Sequence, residues 1–184
     1  MVIGIIVAVV VVLVIYVIGC YNRFVTLKNQ SEEAVSQIDA NLKQRYDLVP
    51  NLVETVKGYA EHESGTLEAV IKARNAGMNA QTLEEKDKAA AGLTGALKSI
   101  FALAESYPDL KANEGFVNLQ NQLSALEDKI LNARKYYNAV VKTFNTSIQV
   151  FPGSLVAGIF GSKFARLEYL QVDEAEKQNV KVKF

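Results

Sequence analysis

Residues 2–21 read VIGIIVAVVVVLVIYVIGCY. No charge interrupts the run, and the phenol of Tyr16 is the one clearly polar group before Cys20. As a helix rising about 1.5 Å per residue, such a stretch reaches about 30 Å, the thickness of a hydrocarbon core. Fourteen of its residues are Val, Ile or Leu, and at roughly −0.3 to −0.6 kcal/mol each near the bilayer centre insertion is favoured by several kcal/mol. The Val/Ile bias also suits a buried strand. Strands of this length are rare, however, and in lipid a helix satisfies its own backbone. Residues 1–22 are therefore predicted to be a transmembrane anchor.

Two competing readings fit less well. A cleaved secretory signal wants a basic leading region and an apolar stretch of about 7–15 residues; here no Lys or Arg precedes the run, and the run is longer. Val17-Ile18-Gly19-Cys20 resembles a bacterial lipoprotein box but lacks the same basic lead. Cys20, the single cysteine, can form no intrachain disulfide and indicates no redox compartment. Arg23 and Lys28 follow the span, so the positive-inside rule predicts a single-pass chain, N-terminus out, with the remainder in the cytoplasm. Tyr16 and Tyr21 would then sit with Arg23 and Lys28 at the inner membrane interface.

Twenty Lys and Arg balance twenty Asp and Glu. A net charge of zero leaves no footprint for nucleic acid or for strong attraction to anionic lipid. Three prolines, no Trp and abundant helix-forming residues favour helix throughout.

After the anchor, Phe24, Leu27, Ala34, Val35, Ile38, Leu42 and Tyr46 recur at helical spacing, opposite Lys28, Asn29, Glu32, Glu33, Gln37 and Lys43. Pro50 cannot donate to the Tyr46 carbonyl and disfavours α geometry at Val49, while Asp47 could cap a new helix. Yet Leu42, Tyr46, Val49, Val53 and Val56 stay nearly in phase, so a kinked continuous helix competes with a reversal. Gly77 to Gln81 has loop composition, and Thr82 with Glu85 forms a capping-box signature. The most regular stripe runs from Phe116 through Leu119, Leu123, Leu126, Ile130, Ala133, Tyr137, Val140 and Phe144 to Ile148, about four heptads of coiled-coil-like seam. Phe151-Pro152-Gly153 should stop it.

Helices are thus predicted over about residues 23–46, 50–78, 83–107 and 114–149. Residues 151–184 follow as an apolar turn and a loosely held tail. Each helix carries a wide apolar stripe, so the expected fold is all-α: a transmembrane helix followed by an up-and-down four-helix bundle over residues 23–150.

Chemistry is sparse. His62 is the only histidine. A bundle-type di-metal site needs Glu-x-x-His from two helices, and zinc sites need spaced Cys and His. No metal, cofactor or catalytic residues are assigned. The pairs Glu32–Glu33 and Glu84–Glu85 fit surface or helix-start charges, and no glycine-rich phosphate loop precedes a helix. An enzyme is not expected.

The stretch from Tyr21-Asn22-Arg23 to Gln37-Ile38-Asp39 leads into Leu42-Lys43-Gln44-Arg45-Tyr46-Asp47-Leu48-Val49-Pro50-Asn51 and on to Gly58-Tyr59. With His62-Glu63, Ala73-Arg74, Ala133-Arg134, Tyr137-Asn138, Phe151-Pro152-Gly153 and Phe160-Gly161, it resembles the LemA family. The resemblance implies a bacterial inner-membrane protein with one N-terminal span and a cytoplasmic up-and-down bundle. It also implies a turn marked by Asp47, Pro50 and Asn51. No established enzymatic activity comes with it. Some members are associated with membrane-organelle formation, and some are encoded beside membrane zinc proteases. The tail departs from the family, because its acidic run Asp173-Glu174-Ala175-Glu176 is brief.

The expectation is a membrane-anchored, non-enzymatic scaffold that self-associates, as a homo-oligomer, or binds partners through its bundle. The alternative is an accessory or sensory subunit presenting peptides beside a membrane protease or other membrane protein. The lipid bilayer is the first expected partner; nucleic acid is not one. Phe151, Leu155, Ile159 and Phe160 form a candidate interaction or membrane-proximal patch. A reversal at Pro50 would bring that patch back to the headgroups; a mere kink would leave it distal.

Overall fold

The helix that begins at Val2 does not end at Pro50. In a computed structural model, which describes residues 1–170, α1 spans Val2–Lys57 with Pro50 inside it. There follow α2 (Ser64–Asn79), α3 (Leu83–Ala104), the single turn α4 (Pro108–Lys111), α5 (Glu114–Gln149), α6 (Gly153–Phe160) and a 3₁₀ turn at Gly161–Phe164. All regular structure among the described residues is helical. The expectations placed on residues 171–184, the acidic run among them, lie outside the described residues.

Continuity through Pro50 has a specific cause. The proline removes one backbone donor, which leaves the Tyr46 carbonyl without its helical partner. Arg74 of α2 supplies the replacement, donating Nε–H to that carbonyl at 2.9 Å. Pro50 itself is exposed, whereas Tyr46, Val49, Leu52, Val53 and Val56 are buried around it. The unbroken apolar phase therefore outweighs the lost bond. Asp47 caps nothing here. It pairs with Lys43 at 2.7 Å on the surface of α1, and the chain reverses over residues 58–63. The expected turn at Pro50 is corrected accordingly, and α2 continues to Asn79, through part of the stretch read as a loop.

Two compact units make up the chain. One consists of Gln37–Arg134 with Leu170. In it Asp39 meets Lys86 and Arg45 meets Thr94, so α1 and α3 run the same way. Asp87 meets Arg134, Thr94 meets Glu127 and Phe101 meets Phe116, so α5 runs against α3. Leu52, Val56, Val70, Leu93, Ile100 and Phe116 fill the middle.

Local chemistry sets the helix starts. At α3 the Thr82 hydroxyl accepts from the Glu85 N–H at 3.2 Å, and the Glu85 carboxylate accepts from the Thr82 N–H at 3.0 Å. Bonds from Thr82 and Gln81 hold the Glu85 carboxyl below the usual carboxylate range. Asn113 opens α5, its Oδ1 accepting from the Phe116 N–H at 2.9 Å.

The other unit consists of Met1–Ser36 and Lys135–Tyr169. Its core is Phe24, Phe144, Val156 and Phe164, with Val17, Cys20, Tyr21 and Leu167 packed against it. Gly153 opens α6 where a Cβ would overlap the Ser147 carbonyl. Asn145 fixes the segment after the 3₁₀ turn. It donates Nδ2–H to the Leu167 carbonyl at 2.8 Å and accepts from the Leu167 N–H at 2.9 Å. The Tyr137 hydroxyl donates to the Glu168 carbonyl at 2.9 Å.

Candidate functional site

The start of α1 is naked. Every large apolar side chain from Val2 to Ile15 is at least half exposed, and Ile3 is 79% exposed. This stretch is long and apolar enough to cross a membrane. A soluble surface does not carry a continuous apolar cylinder of this size, so it fits a membrane anchor.

At its end the chain gathers most of the expected interface residues. Tyr21 is half-buried rather than free: Phe160 packs on it with ring centroids 4.8 Å apart and Phe164 meets it edge-on at 5.5 Å. The Lys163 ammonium lies over its ring at 4.8 Å and donates to its hydroxyl. Phe24, one turn further, stacks edge-on with Phe164 at 5.2 Å. The patch beginning at Phe151 therefore belongs beside residues 16–28 of α1, even though Pro50 is only an interruption. The expectation that a kink leaves it distal fails, because the reversal at 58–63 replaces the one at Pro50.

Two grooves flank this part of α1. One, of about 520 Å³, is lined by Tyr16, Cys20, Arg23, Lys142, Thr146 and Phe151 among others. The second, of about 430 Å³, has Tyr21, Asn22, Lys28, Glu32 and Lys163 in its walls. Arg23 thus shares a groove with Tyr16 and Phe151, and Lys28 shares one with Tyr21. On α6, Gly153 and Val156 face inward, while Leu155 and Ile159 are 62% and 71% exposed, after Phe151 at 79%. Phe160 is only marginally exposed because of its contact with Tyr21.

Asp47, Pro50 and Asn51 belong to the other unit. All three are exposed; the same motif contributes inward-facing Arg45, Tyr46 and Val49. Arg45 is the feature that sequence reasoning missed. Its side chain is 3% exposed, with Nη1 2.6 Å from Glu127 Oε2 and Nη2 donating to the Thr94 hydroxyl at 3.0 Å. Thr94 in turn donates to Glu127 Oε1 at 3.1 Å. Burial lowers the Arg45 pKa, and Glu127 acts the other way. A base on the apolar stripe one position before Tyr46 was the available signal. The guanidinium and the carboxylate neutralise each other and the Thr94 hydroxyl bridges them, so the chemistry of the cluster is that of an internal tie. His62 stands exposed in the 58–63 turn. Among the described residues no three of His, Cys, Asp and Glu are grouped to hold a metal ion.

The seam of α5 is turned inward. Phe116, Leu123, Leu126, Ile130, Ala133, Tyr137, Val140 and Phe144 are all buried, so it offers no open zipper for a second copy.

A model described as the LemA family matches residues 34–184. The chain is similar to magnetosome protein MamQ 2 of Paramagnetospirillum magneticum, at 27% identity over 82% of this chain and 64% of that protein. It is equally similar, at 27%, to protein LemA of Metamycoplasma hominis, over 88% of this chain and 77% of the relative. Magnetosome protein MamQ of Magnetospirillum gryphiswaldense is 25% identical over 81% and 64%. The chain spans just under two thirds of the length of the MamQ relatives that it matches.

Proposed function

The chain belongs to the LemA family, and from that premise we propose a membrane-anchored, non-enzymatic scaffold or interaction protein. The start of α1 spans a bacterial inner membrane once, N-terminus out. The helical bundle works in the cytoplasm through a partner or a second copy. The observation that carries this reading is the exposed apolar run of Val2–Ile15, which belongs to the same helix as the buried Leu42, Tyr46, Val49 and Val53. Lipid covers the first part and the bundle packs on the second. The principal polar groups of the bundle interior bind one another, as at Arg45–Glu127 and Arg134–Asp87, which supports a structural use rather than catalysis. With the α5 seam closed, contacts with other molecules fall to exposed positions such as Ile71 and Met78, which lie seven residues apart on α2.

The test is made on the full chain in native membranes. It is expected to stay in the membrane pellet through an alkaline carbonate wash. A photo-crosslinking residue at Ile71 or Met78 is expected to give discrete adducts, whose identity separates a second copy from a membrane protease or another membrane protein. Release by carbonate overturns the anchor; absence of adducts from every exposed bundle position overturns the interaction role.

A further inference from the structure

We propose that α6 is a second membrane contact, an in-plane helix whose Leu155 and Ile159, with Phe151 just before it, lie in the interfacial zone of the leaflet that α1 leaves. The proposal rests on the reading of the start of α1 as the anchor.

Leu155 and Ile159 stand one turn apart on α6, and with Phe151 they are the most exposed large apolar groups after residue 18 among the described residues. Nothing among the described residues of this unit covers them. Meanwhile the opposite face of α6 is pinned: Val156 joins Phe24, Phe144 and Phe164 in the core, and Phe160 rests on Tyr21. Leu155 and Ile159 are therefore held in one fixed direction by aromatic packing.

Its level follows from the numbering of α1. Phe24 lies four residues past Cys20, about 6 Å along the helix. The headgroup region extends about 5–7 Å beyond each side of the hydrocarbon core, so Phe24 and the α6 contacts on it stand at interfacial level, where amphipathic helices lie.

Its tilt follows from the same contacts. Eight helical residues are about 12 Å long, so a helix lying along α1 would shift its contacts by about eight positions from end to end. Instead, at its start, a Cβ on Gly153 would lie 3.4 Å from the Phe24 ring. At its end Phe160 stacks on Tyr21 with ring centroids 4.8 Å apart. The two ends of α6 thus meet α1 only three positions apart, at Phe24 and Tyr21, so it crosses α1 steeply. A helix that crosses a spanning helix runs close to the membrane plane.

Charge agrees with a lipid occupant. Residues 143–162 contain no Asp, Glu, Lys, Arg or His, and Lys142 and Lys163 bound the run. This unit holds six Lys and Arg against three Glu, an excess that suits an anionic leaflet. The neutral total of the chain hides it.

The test uses the full chain in a Cys20→Ser background, with one environment-sensitive fluorophore attached through Leu155→Cys, Ile159→Cys, Val10→Cys or Lys98→Cys. Each is reconstituted in mixed phosphatidylcholine–phosphatidylglycerol vesicles and exposed to bromolipid from within and iodide from the water. Probes at 155 and 159 are expected to be quenched by bromolipid, like the probe at 10, and to be several-fold less sensitive to iodide than the probe at 98. Iodide quenching at 155 and 159 with bromolipid quenching retained at 10 overturns the α6 proposal and leaves the anchor standing. Escape of the probe at 10 from bromolipid overturns the anchor and the proposal with it. Shielding of 155 and 159 from both quenchers means that protein, a second copy or a partner, covers these positions, which also overturns the proposal. All four positions are exposed, so the labels leave the inner packing of Val156 and Phe164 in place.

Discussion

Arg74 donates its Nε–H to the Tyr46 carbonyl at 2.9 Å, across 28 positions of sequence, and so fills the vacancy that Pro50 creates in α1. A side chain on the second helix thereby makes the first helix continuous.

The two residues should therefore be energetically coupled. Arg74→Met is expected to leave the Tyr46 carbonyl unsatisfied and to destabilise the protein by about 1–2 kcal/mol. In a Pro50→Ala background the helix makes its own bond to that carbonyl, and the same substitution should then cost clearly less. Thermal unfolding of the four chains in detergent gives the cycle; a coupling energy of zero would rule out this role for Arg74.

Arg45 and Glu127 should respond unequally to truncation. Glu127→Ala strands a guanidinium that is 3% exposed, and a loss of about 2 kcal/mol is expected, below the fully buried range because the Glu127 side chain is 42% exposed. Arg45→Met keeps the buried stem and leaves a carboxylate whose Oε2 is buried but whose side chain, 42% exposed, can turn to water, so about 1 kcal/mol is expected. Equal losses in denaturant titrations would contradict the asymmetry.

Tyr46 and Gly77 form a third test. A Cβ on Gly77 would collide with the Tyr46 ring, so Gly77→Ala should destabilise by about 1 kcal/mol although alanine favours the helix. Tyr46→Leu in the same chain should relieve most of that loss. Burial, opposed by Arg45, also pushes the Tyr46 hydroxyl above the usual phenol range, and burial likewise raises Tyr137. Stability is thus complete below about pH 10, the unfolded phenol value, and declines as pH rises from there towards the folded value. Tyr46→Phe should make that alkaline decline shallower; an unchanged profile would show that the hydroxyl is not involved.

Features written in local spacing were legible in the chain. The apolar run of residues 2–21, the Thr82–Glu85 cap and the heptads of α5 each declare themselves within a few turns. What escaped depends on partners far apart in sequence. Pro50 has the local signature of a break, and only Arg74, which no spacing rule links to it, cancels that signature. The role of Arg45 is not legible locally because its partners Glu127 and Thr94 come from other helices. The patch at Phe151 was identified, but its place beside Tyr21 and Phe24 depended on where the chain reverses, and that was misplaced by several residues.

The inward seam of α5 has a practical consequence. A heptad scan run across genomes would score Phe116 to Ile148 as a zipper and invite its use as a dimerisation cassette. Excised from its neighbours, that segment would expose to water the groups it normally tucks away, and would be expected to clump indiscriminately. Periodicity of this kind diagnoses a helix that needs company, without saying whether the company is already supplied by its own chain.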